Sequence, residues 1–340
     1  MSLRTRTDLP SKTASLRRRI PITRVPQPSQ DRMRSTWRQA KPARIAKALE
    51  VSQAQNSGGW FVAGASGDVG RTTSVTRTIA GREVVLWRNR TGGLVAGPGA
   101  CPHLGALLDK CSVVDGTLYC RWHGLALDEQ GDRSWSPYRA FDDGVLLWVG
   151  LPVPGEPATP RPALPARTSL DQSVFAVMTE LGVCEPQDVI ANRLDPWHGA
   201  WFHPYSFSHL TVDDNASDDK TLTVDVTFRL SRTWGVPVRA EFSCPDARTI
   251  VMRITEGEGV GSVVETHATP LGTDERGQPL TMVTEATIAH SGRPGFAIAR
   301  WMAPLLRPSI RKTARRLWVD DLLYAERRYE LRARGEFPSP

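Results

Sequence analysis

Between Trp60 and Val149 the chain alternates short apolar runs with turn residues. Ser74–Ile79, Val84–Trp87, Leu94–Ala96, Thr117–Cys120 and Val145–Val149 have the length and content of strands. Turn signals separate them at Ala80-Gly81, Thr91-Gly92-Gly93, Asp115-Gly116 and Gln130-Gly131. The pattern predicts a small antiparallel β domain beginning near Gly58. Prolines then stand at positions 152, 154, 157, 160, 162 and 165. Such a run forbids helix and removes ladder donors, so 151–166 reads as a semi-rigid linker.

Beyond the linker the pattern is mixed. Pro186–His203 reads as a helix. Thr221–Leu230 alternates strictly, with Leu222, Val224, Val226, Phe228 and Leu230 on one face, which predicts a half-buried strand. Val236–Phe242, Thr249–Ile254, Ser262–Thr269 and Leu280–His290 are further strands. Gly295 to Arg334 reads as helix broken near Pro304 and Pro308. A sheet framed by helices is an α+β arrangement. Upstream, residues 33–50 can form a short helix through Met33, Trp37, Ile45 and Leu49. Gly64-Ala-Ser-Gly67-Asp-Val-Gly70 has the wrong spacing for a dinucleotide loop and reads as a turn-rich strand exit.

A length of 340 residues fits about two such domains. With 40% hydrophobic and 23% charged residues and no apolar run of bilayer length, the composition excludes a collagen-like, wholly disordered or helix-spanning chain. The net charge of +7 is uneven. Residues 1–49 hold 13 basic and 2 acidic groups, a net of +11, and the rest sums to −4. This first segment lacks the apolar core of a secretory signal, so a cytoplasmic protein is expected. Residues 1–57 read as a flexible basic arm, with an anionic membrane surface or acidic partner as a sharper reading. No folded nucleic-acid motif accompanies it, and nucleic acid is not expected as a partner. Five cysteines are too few for a disulfide scaffold and read as thiols or metal ligands.

Two of those cysteines belong to the most specific pattern. Cys101-Pro-His103 is followed after sixteen residues by Cys120-Arg-Trp-His123. Thiolate and imidazole suit iron and zinc alike, but a zinc finger keeps its Cys and His pairs separate. Here each loop supplies one of each, which suits a [2Fe–2S] cluster with two Cys on one iron and two His on the other. The segment Gly59–Gly131 resembles a Rieske domain, including Pro102, Gly105 and Gly124. The glycines are expected to bring backbone N–H groups towards the cluster sulfurs. Respiratory Rieske proteins carry an extra disulfide across the two loops. Ala106 and Trp122 stand at those places, so the resemblance is to the oxygenase and ferredoxin kind. Cys111, Cys184 and Cys244 match no ligand position and read as buried thiols.

The second half contains Asn192-Arg-Leu-Asp195-Pro-Trp-His198-Gly-Ala-Trp-Phe-His203. Non-haem iron(II) oxygenases use two His and one carboxylate. On a straight helix, His198 and His203 point about 140° apart, so one iron requires a distortion, which Pro196 and Gly199 permit. Asn192, Asp195 and His198 lie along one side. Alone, two histidines underdetermine a site. After the Rieske motif, they resemble the mononuclear iron motif of Rieske oxygenases, Asp-x2-His-x4-His. The resemblance implies that Asp195 hydrogen-bonds His103 or His123 of a neighbouring subunit, within a homotrimer in most of the family. It assigns roles near the iron to Asp195 and Asn192. It places the third ligand in Trp318-Val-Asp-Asp-Leu-Leu-Tyr-Ala-Glu326, at Asp321, with Asp320 as runner-up.

The division expected is an arm at 1–57, a Rieske domain at 58–150, the linker at 151–166 and a helix-grip catalytic domain at 167–335. The resemblance implies the terminal oxygenase of a multicomponent system. Electrons from NAD(P)H arrive through a separate reductase or ferredoxin, a [2Fe–2S] cluster and a mononuclear Fe(II) are the cofactors, and O2 oxidises a hydrophobic ring or isoprenoid compound. The competing reading is an electron-transfer protein with a non-catalytic second domain. His209, His267 and His290 read as structural or surface residues. Gly295–Leu306 is apolar and flanked by Arg300, Arg307, Arg311 and Lys312. It fits core packing, a pocket mouth or peripheral membrane contact.

Overall fold

The computed structural model describes residues 23–24, 28–29, 32–33, 35–131 and 134–338. Strand β1 (Thr23–Arg24) and helix α1 (Pro42–Gln53) precede the first domain. That domain holds three small antiparallel sheets. β2 (Trp60–Ala65) opens it, followed by the meander β3 (Val75–Ile79), β4 (Arg82–Arg88) and β5 (Leu94–Pro98). A second meander is β6 (Ser112–Val114), β7 (Thr117–Tyr119) and β8 (Ala126–Leu127). Then β9 (Arg139–Asp142) and β10 (Leu146–Gly150) close on β2. Residues 66–68 form a single turn after β2, where the Asp68 carboxylate accepts the Ala65 N–H at 3.0 Å. The glycine-rich stretch is thus the expected strand exit.

The second domain begins with β11 (Ser173–Gly182), which the alternation did not single out. Its centre, Val174 to Met178, is largely apolar on both faces, so it carries no period-two signal. Next come α2 (Pro186–Arg193), α3 (Trp197–Phe202) and β12 (Phe207–Val212). β13 (Thr221–Arg229), β14 (Trp234–Asp246), β15 (Thr249–Gly257), β16 (Val263–Thr273) and β17 (Pro279–His290) follow. The sheet is antiparallel in the order β11-β17-β16-β15-β14-β13-β12, with β1 pairing to β14. Helices α4 (Phe296–Trp301) and α5 (Ala303–Ala333) end the fold. Trp318, Leu322 and Ala325 of α5 are buried against Met178, Val283 and Val189, so the sheet grips the long helix as the α+β, helix-grip expectation required.

Several expected boundaries move. Pro186–His203 is two helices, because the chain breaks at Leu194–Pro196. In the last helix the break is at Met302, and Pro304 is the second residue of α5, in the first turn, where a missing N–H costs no bond. Pro308 lies inside α5 without ending it. Folded structure also reaches upstream of Gly58. Ala48 and Leu49 of α1 are buried with Ile190, Ala191 and Leu194, and Lys41 and Arg44 pair with Asp214 at 2.5 and 2.6 Å. The helix therefore runs over 42–53 rather than 33–50, and the residues before Gly58 are not all arm. The expectation of a flexible tail over residues 1–22 lies outside the described residues.

The two domains share an apolar core. Trp60, Val62, Leu146 and Trp148 pack with Val177, Val251, Val263 and Ile288. Beside it sits a buried ionic group. Arg167, at the end of the linker, contacts Glu265 at 2.5 Å and Asp143 at 3.0 Å. Asp143 also accepts the Trp148 indole N–H at 2.7 Å. Burial alone would raise the Asp143 and Glu265 carboxyls, but the Arg167 guanidinium holds both below their ordinary values. His267, read as structural, lies 3.3 Å from Glu265 and 3.0 Å from Thr249. The linker itself is strapped down, with Thr159 N–H donating to Gly58 O and Trp60 Nε1 donating to Thr159 O.

Candidate metal centres

The two loops of the first motif are built alike. One joins β5 to β6 and the other joins β7 to β8. Gly105 N–H donates to Cys101 O and Cys101 N–H to Ala106 O, both at 2.8 Å. In the second loop, Gly124 N–H donates to Cys120 O at 2.8 Å and Cys120 N–H to Leu125 O at 2.9 Å. Gly105 and Gly124 have φ of +75° and +72°, a conformation that L side chains adopt only with strain. Their N–H groups are therefore spent on carbonyls. The turns they permit bring other backbone N–H groups of each loop towards the sulfurs, as expected. The N–H groups of His103 and Leu104 point at Cys101, and those of Trp122 and His123 at Cys120.

Both thiols are buried over the core of the first domain, with Trp87, Leu108 and Trp135 beneath. The His103 and His123 rings stand exposed at the tip, edge to face at 4.8 Å between centroids. Two inward thiols and two outward imidazoles fit a cluster with one buried and one exposed iron. All five cysteines are free, and Ala106 and Trp122 form no cross-loop bridge. Cys111 and Cys184 are buried, whereas Cys244 is only partly so.

The second centre lies between α3 and α5. His198 and His203 are brought together because α3 ends. His203 is its C-terminal cap, at φ −114° and ψ 56°, so its side chain leaves the helical path. Pro196 starts the helix. Gly199 lies within it, so the distortion expected at Gly199 is absent. Both Nε2 atoms reach the same oxygen of Asp321, at 3.1 Å from His198 and 2.9 Å from His203. Two imidazole nitrogens and a carboxylate oxygen thus fall within 4.8 Å of one another. Burial alone would raise the Asp321 carboxyl, but the two imidazoles hold it well below the usual carboxylate range. His198 is raised despite burial, by Asp321 and then Asp195.

Asp321 and His203 are braced from behind, and Asp195 stands near His198. Asn192 is fully buried and donates its amide N–H to Asp321 at 3.1 Å. Asp195 Oδ2 lies 3.9 Å from His198 Nδ1. The runner-up Asp320 does not join the converging set. It accepts the Tyr205 hydroxyl at 2.5 Å and lies 3.6 Å from His203 Nδ1, on the far side of the ring. Tyr205 itself is 3.3 Å from that nitrogen, with Arg316 stacked 3.7 Å from its ring. Tyr324 approaches Asp195 at 3.5 Å. The sequence pattern missed both tyrosines. Their only signal is proximity in the chain, two residues after His203 and three after Asp321. Glu326 turns away to accept the Val183 N–H at 2.9 Å.

Two His nitrogens and one carboxylate oxygen fit a divalent iron that keeps open positions; Asn192 holds the carboxylate and Tyr205 stands behind His203, whereas His198 Nδ1 is buried with no hydrogen-bond partner among the described residues. Asp195 Oδ1 is buried and has no protein partner. Beside it opens a cavity of about 310 Å3 lined by Thr36, Trp37, Trp197, His198 and Trp201. Helices α4 and α5 contribute no wall to that cavity.

The family described as Rieske [2Fe-2S] domain matches residues 59–142. The family described as Domain of unknown function (DUF5914) matches residues 153–336. The putative toluene-4-sulfonate monooxygenase system iron-sulfur subunit of Comamonas testosteroni is 28% identical over 185 residues, 49% of this chain and 51% of that protein. The chain thus spans about half the length of the curated relatives it matches. Crystalline dicamba monooxygenase bound to dicamba superposes with a TM-score of 0.61 at 18% identity, covering 84% of this chain and 92% of that one. The oxygenase in the reduced oxygenase–ferredoxin complex of carbazole 1,9a-dioxygenase superposes at 0.56 with 13% identity, over 87% and 88%.

Proposed function

This chain belongs to the family described as Domain of unknown function (DUF5914) and carries a Rieske [2Fe-2S] domain, and on that premise we propose that it is the terminal oxygenase of a multicomponent Rieske non-haem iron system. The observation that carries the reading is the convergence of His198, His203 and Asp321 in the same chain as the paired Cys–His loops. Cys101, Cys120, His103 and His123 would hold the [2Fe–2S] cluster. His198, His203 and Asp321 would hold the mononuclear iron. When bound, these groups supply one-electron storage and open coordination positions for O2 activation.

The chain's own residues do the positioning. Asn192 fixes which Asp321 oxygen faces the imidazoles. Asp195 backs the His198 ring, and Tyr205 with Asp320 backs His203. Burial of Asn192, His203 and Asp321 keeps bulk water off the carboxylate. Electrons would reach the cluster from a separate ferredoxin or NAD(P)H-dependent reductase, as the name of the carbazole dioxygenase complex supports. We read the substrate as a hydrophobic ring or isoprenoid compound that gains one or two oxygen atoms. The names of the toluene-4-sulfonate and dicamba relatives favour a ring. Three cysteines beyond the two cluster ligands, none of them in a disulfide, support a reducing cytoplasm.

A homotrimer is part of the reading. Asp195 Oδ1 lacks a donor, and the Rieske tip exposes two imidazoles beside Leu104 and Trp122. Trp37, Trp201 and Phe202 are exposed around the Asp195 side. A neighbouring copy that seats its tip there would bury apolar surface on both sides and give the carboxylate its N–H. The test is anaerobic purification followed by O2 uptake with a surrogate ferredoxin and a panel of ring compounds. His198→Ala and His203→Ala should abolish substrate oxidation and leave the Rieske spectrum intact. Unchanged oxidation in both variants would sink the oxygenase reading and leave an electron carrier.

A further inference from the structure

Helix α4 and the start of α5 carry an apolar stripe that nothing among the described residues covers. Ile298, Trp301 and Leu305 are 63%, 82% and 74% exposed. Ile298 and Trp301 lie three apart in α4, and Leu305 follows in the first turn of α5. Single exposed apolar residues are ordinary, but three large ones within eight residues are not. From Arg293 to Arg316 the chain has seven Lys or Arg and no Asp or Glu. Arg293 and Arg315 pair with Glu258 and Glu180. Arg300, Arg307 and Arg311 donate instead to the carbonyl oxygens of Asp171, Phe175 and Val177. Those bonds hold the side chains against residues 171–177, and among the described residues no ion pair joins the three guanidinium groups to a carboxylate.

We propose that this face docks on an anionic bilayer surface. Protruding side chains fit a medium that yields around them. At headgroup depth the Trp and two aliphatic chains leave water while phosphates meet the flanking guanidinium and ammonium groups. A second copy of the same face is disfavoured because both would be basic. An acidic protein offers the charge complement but must also provide a socket for each of three projecting side chains. No helix among the described residues is long and apolar enough to cross a membrane, so the contact is peripheral. It stands apart from the iron centres, and either reading survives failure of the other.

The test is flotation of the full chain with phosphatidylcholine vesicles, with and without phosphatidylglycerol. Flotation is expected only with the anionic lipid and should fall at high salt. The triple variant Ile298→Ser, Trp301→Ser, Leu305→Ser should lower the bound fraction at least about tenfold with the Rieske spectrum retained. Lys312→Glu should lower it about fivefold or more. If the triple variant loses its spectrum, Leu305→Ser alone replaces it. Absence of flotation on anionic vesicles at low salt overturns the proposal, as does equal flotation of the variants, which would assign binding to the basic N-terminal segment. A change in oligomeric state of the triple variant, or loss of reduction by an acidic ferredoxin without vesicle binding, assigns the face to a protein and also overturns it.

Discussion

Asp320 and Asp321 are chemically identical neighbours, and their surroundings separate them. Asp321 is buried and takes both imidazole Nε2 atoms. Asp320 is partly exposed and holds Tyr205 behind His203. Asp321→Ala should therefore reduce bound iron from about three to about two per chain with the visible Rieske bands unchanged. Asp320→Ala should retain about three after anaerobic loading but release the mononuclear metal to a chelator about 10- to 100-fold more readily. Metal analysis and chelator competition read both. The opposite pattern would reverse the assignment. The four Rieske ligands were legible because their spacing alone defines two matched loops. The aspartate pair was legible only as a pair, since one residue along a helix turns a side chain by about 100° and packing decides which one faces inward.

At the scale of elements, α1 and the Arg167 junction carry consequences the residue pattern did not announce. Leu49 is buried against α2. Leu49→Ala should cost about 2–4 kcal/mol, read as a lower denaturant midpoint. A loss below half a kcal/mol would mean that α1 is a loosely attached part of the arm. At the junction, Arg167 neutralises two buried carboxylates. Both have depressed folded pKa values, so their stabilisation is present above the ordinary carboxylate range and is lost as pH falls through those lower values. Arg167→Met leaves the two acids unpaired and should cost about 3–5 kcal/mol at neutral pH. The Tm gap to the unmodified chain should narrow as pH drops through the carboxylate range, where both acids become neutral. A gap independent of pH would assign the loss to packing. β11 escaped the sequence pattern, and α1 was read with shifted bounds and as part of the arm, each for a local reason. The centre of β11 is apolar on both faces, and the basic residues of α1 hide a short buried stripe.

At the scale of the whole molecule, the Rieske tip and the mononuclear centre belong to two domains joined by a shared core, a strapped linker and the Arg167 group. That joining suits the proposed docking between copies, in which the tip of one copy would sit against Asp195 of the next. Asp195→Asn should slow reoxidation of the reduced cluster by O2 and substrate, while leaving about three irons per chain. Stopped-flow absorbance of the Rieske bands measures it, and an unchanged rate would remove Asp195 from the electron path. The sequence by itself determined the Rieske loops, the proline linker, the antiparallel strands with strict alternation and the two histidines. Each is encoded by local spacing or by a period that one segment carries alone. Only the tertiary structure decided that Asp321 closes the set, that Asn192, Tyr205 and Asp320 brace it, that α1 is part of the body, and that Ile298, Trp301 and Leu305 face outward. Those outcomes depend on which groups meet across more than a hundred residues of chain, or on which face of a helix finds no neighbour, and neither is written in any one segment.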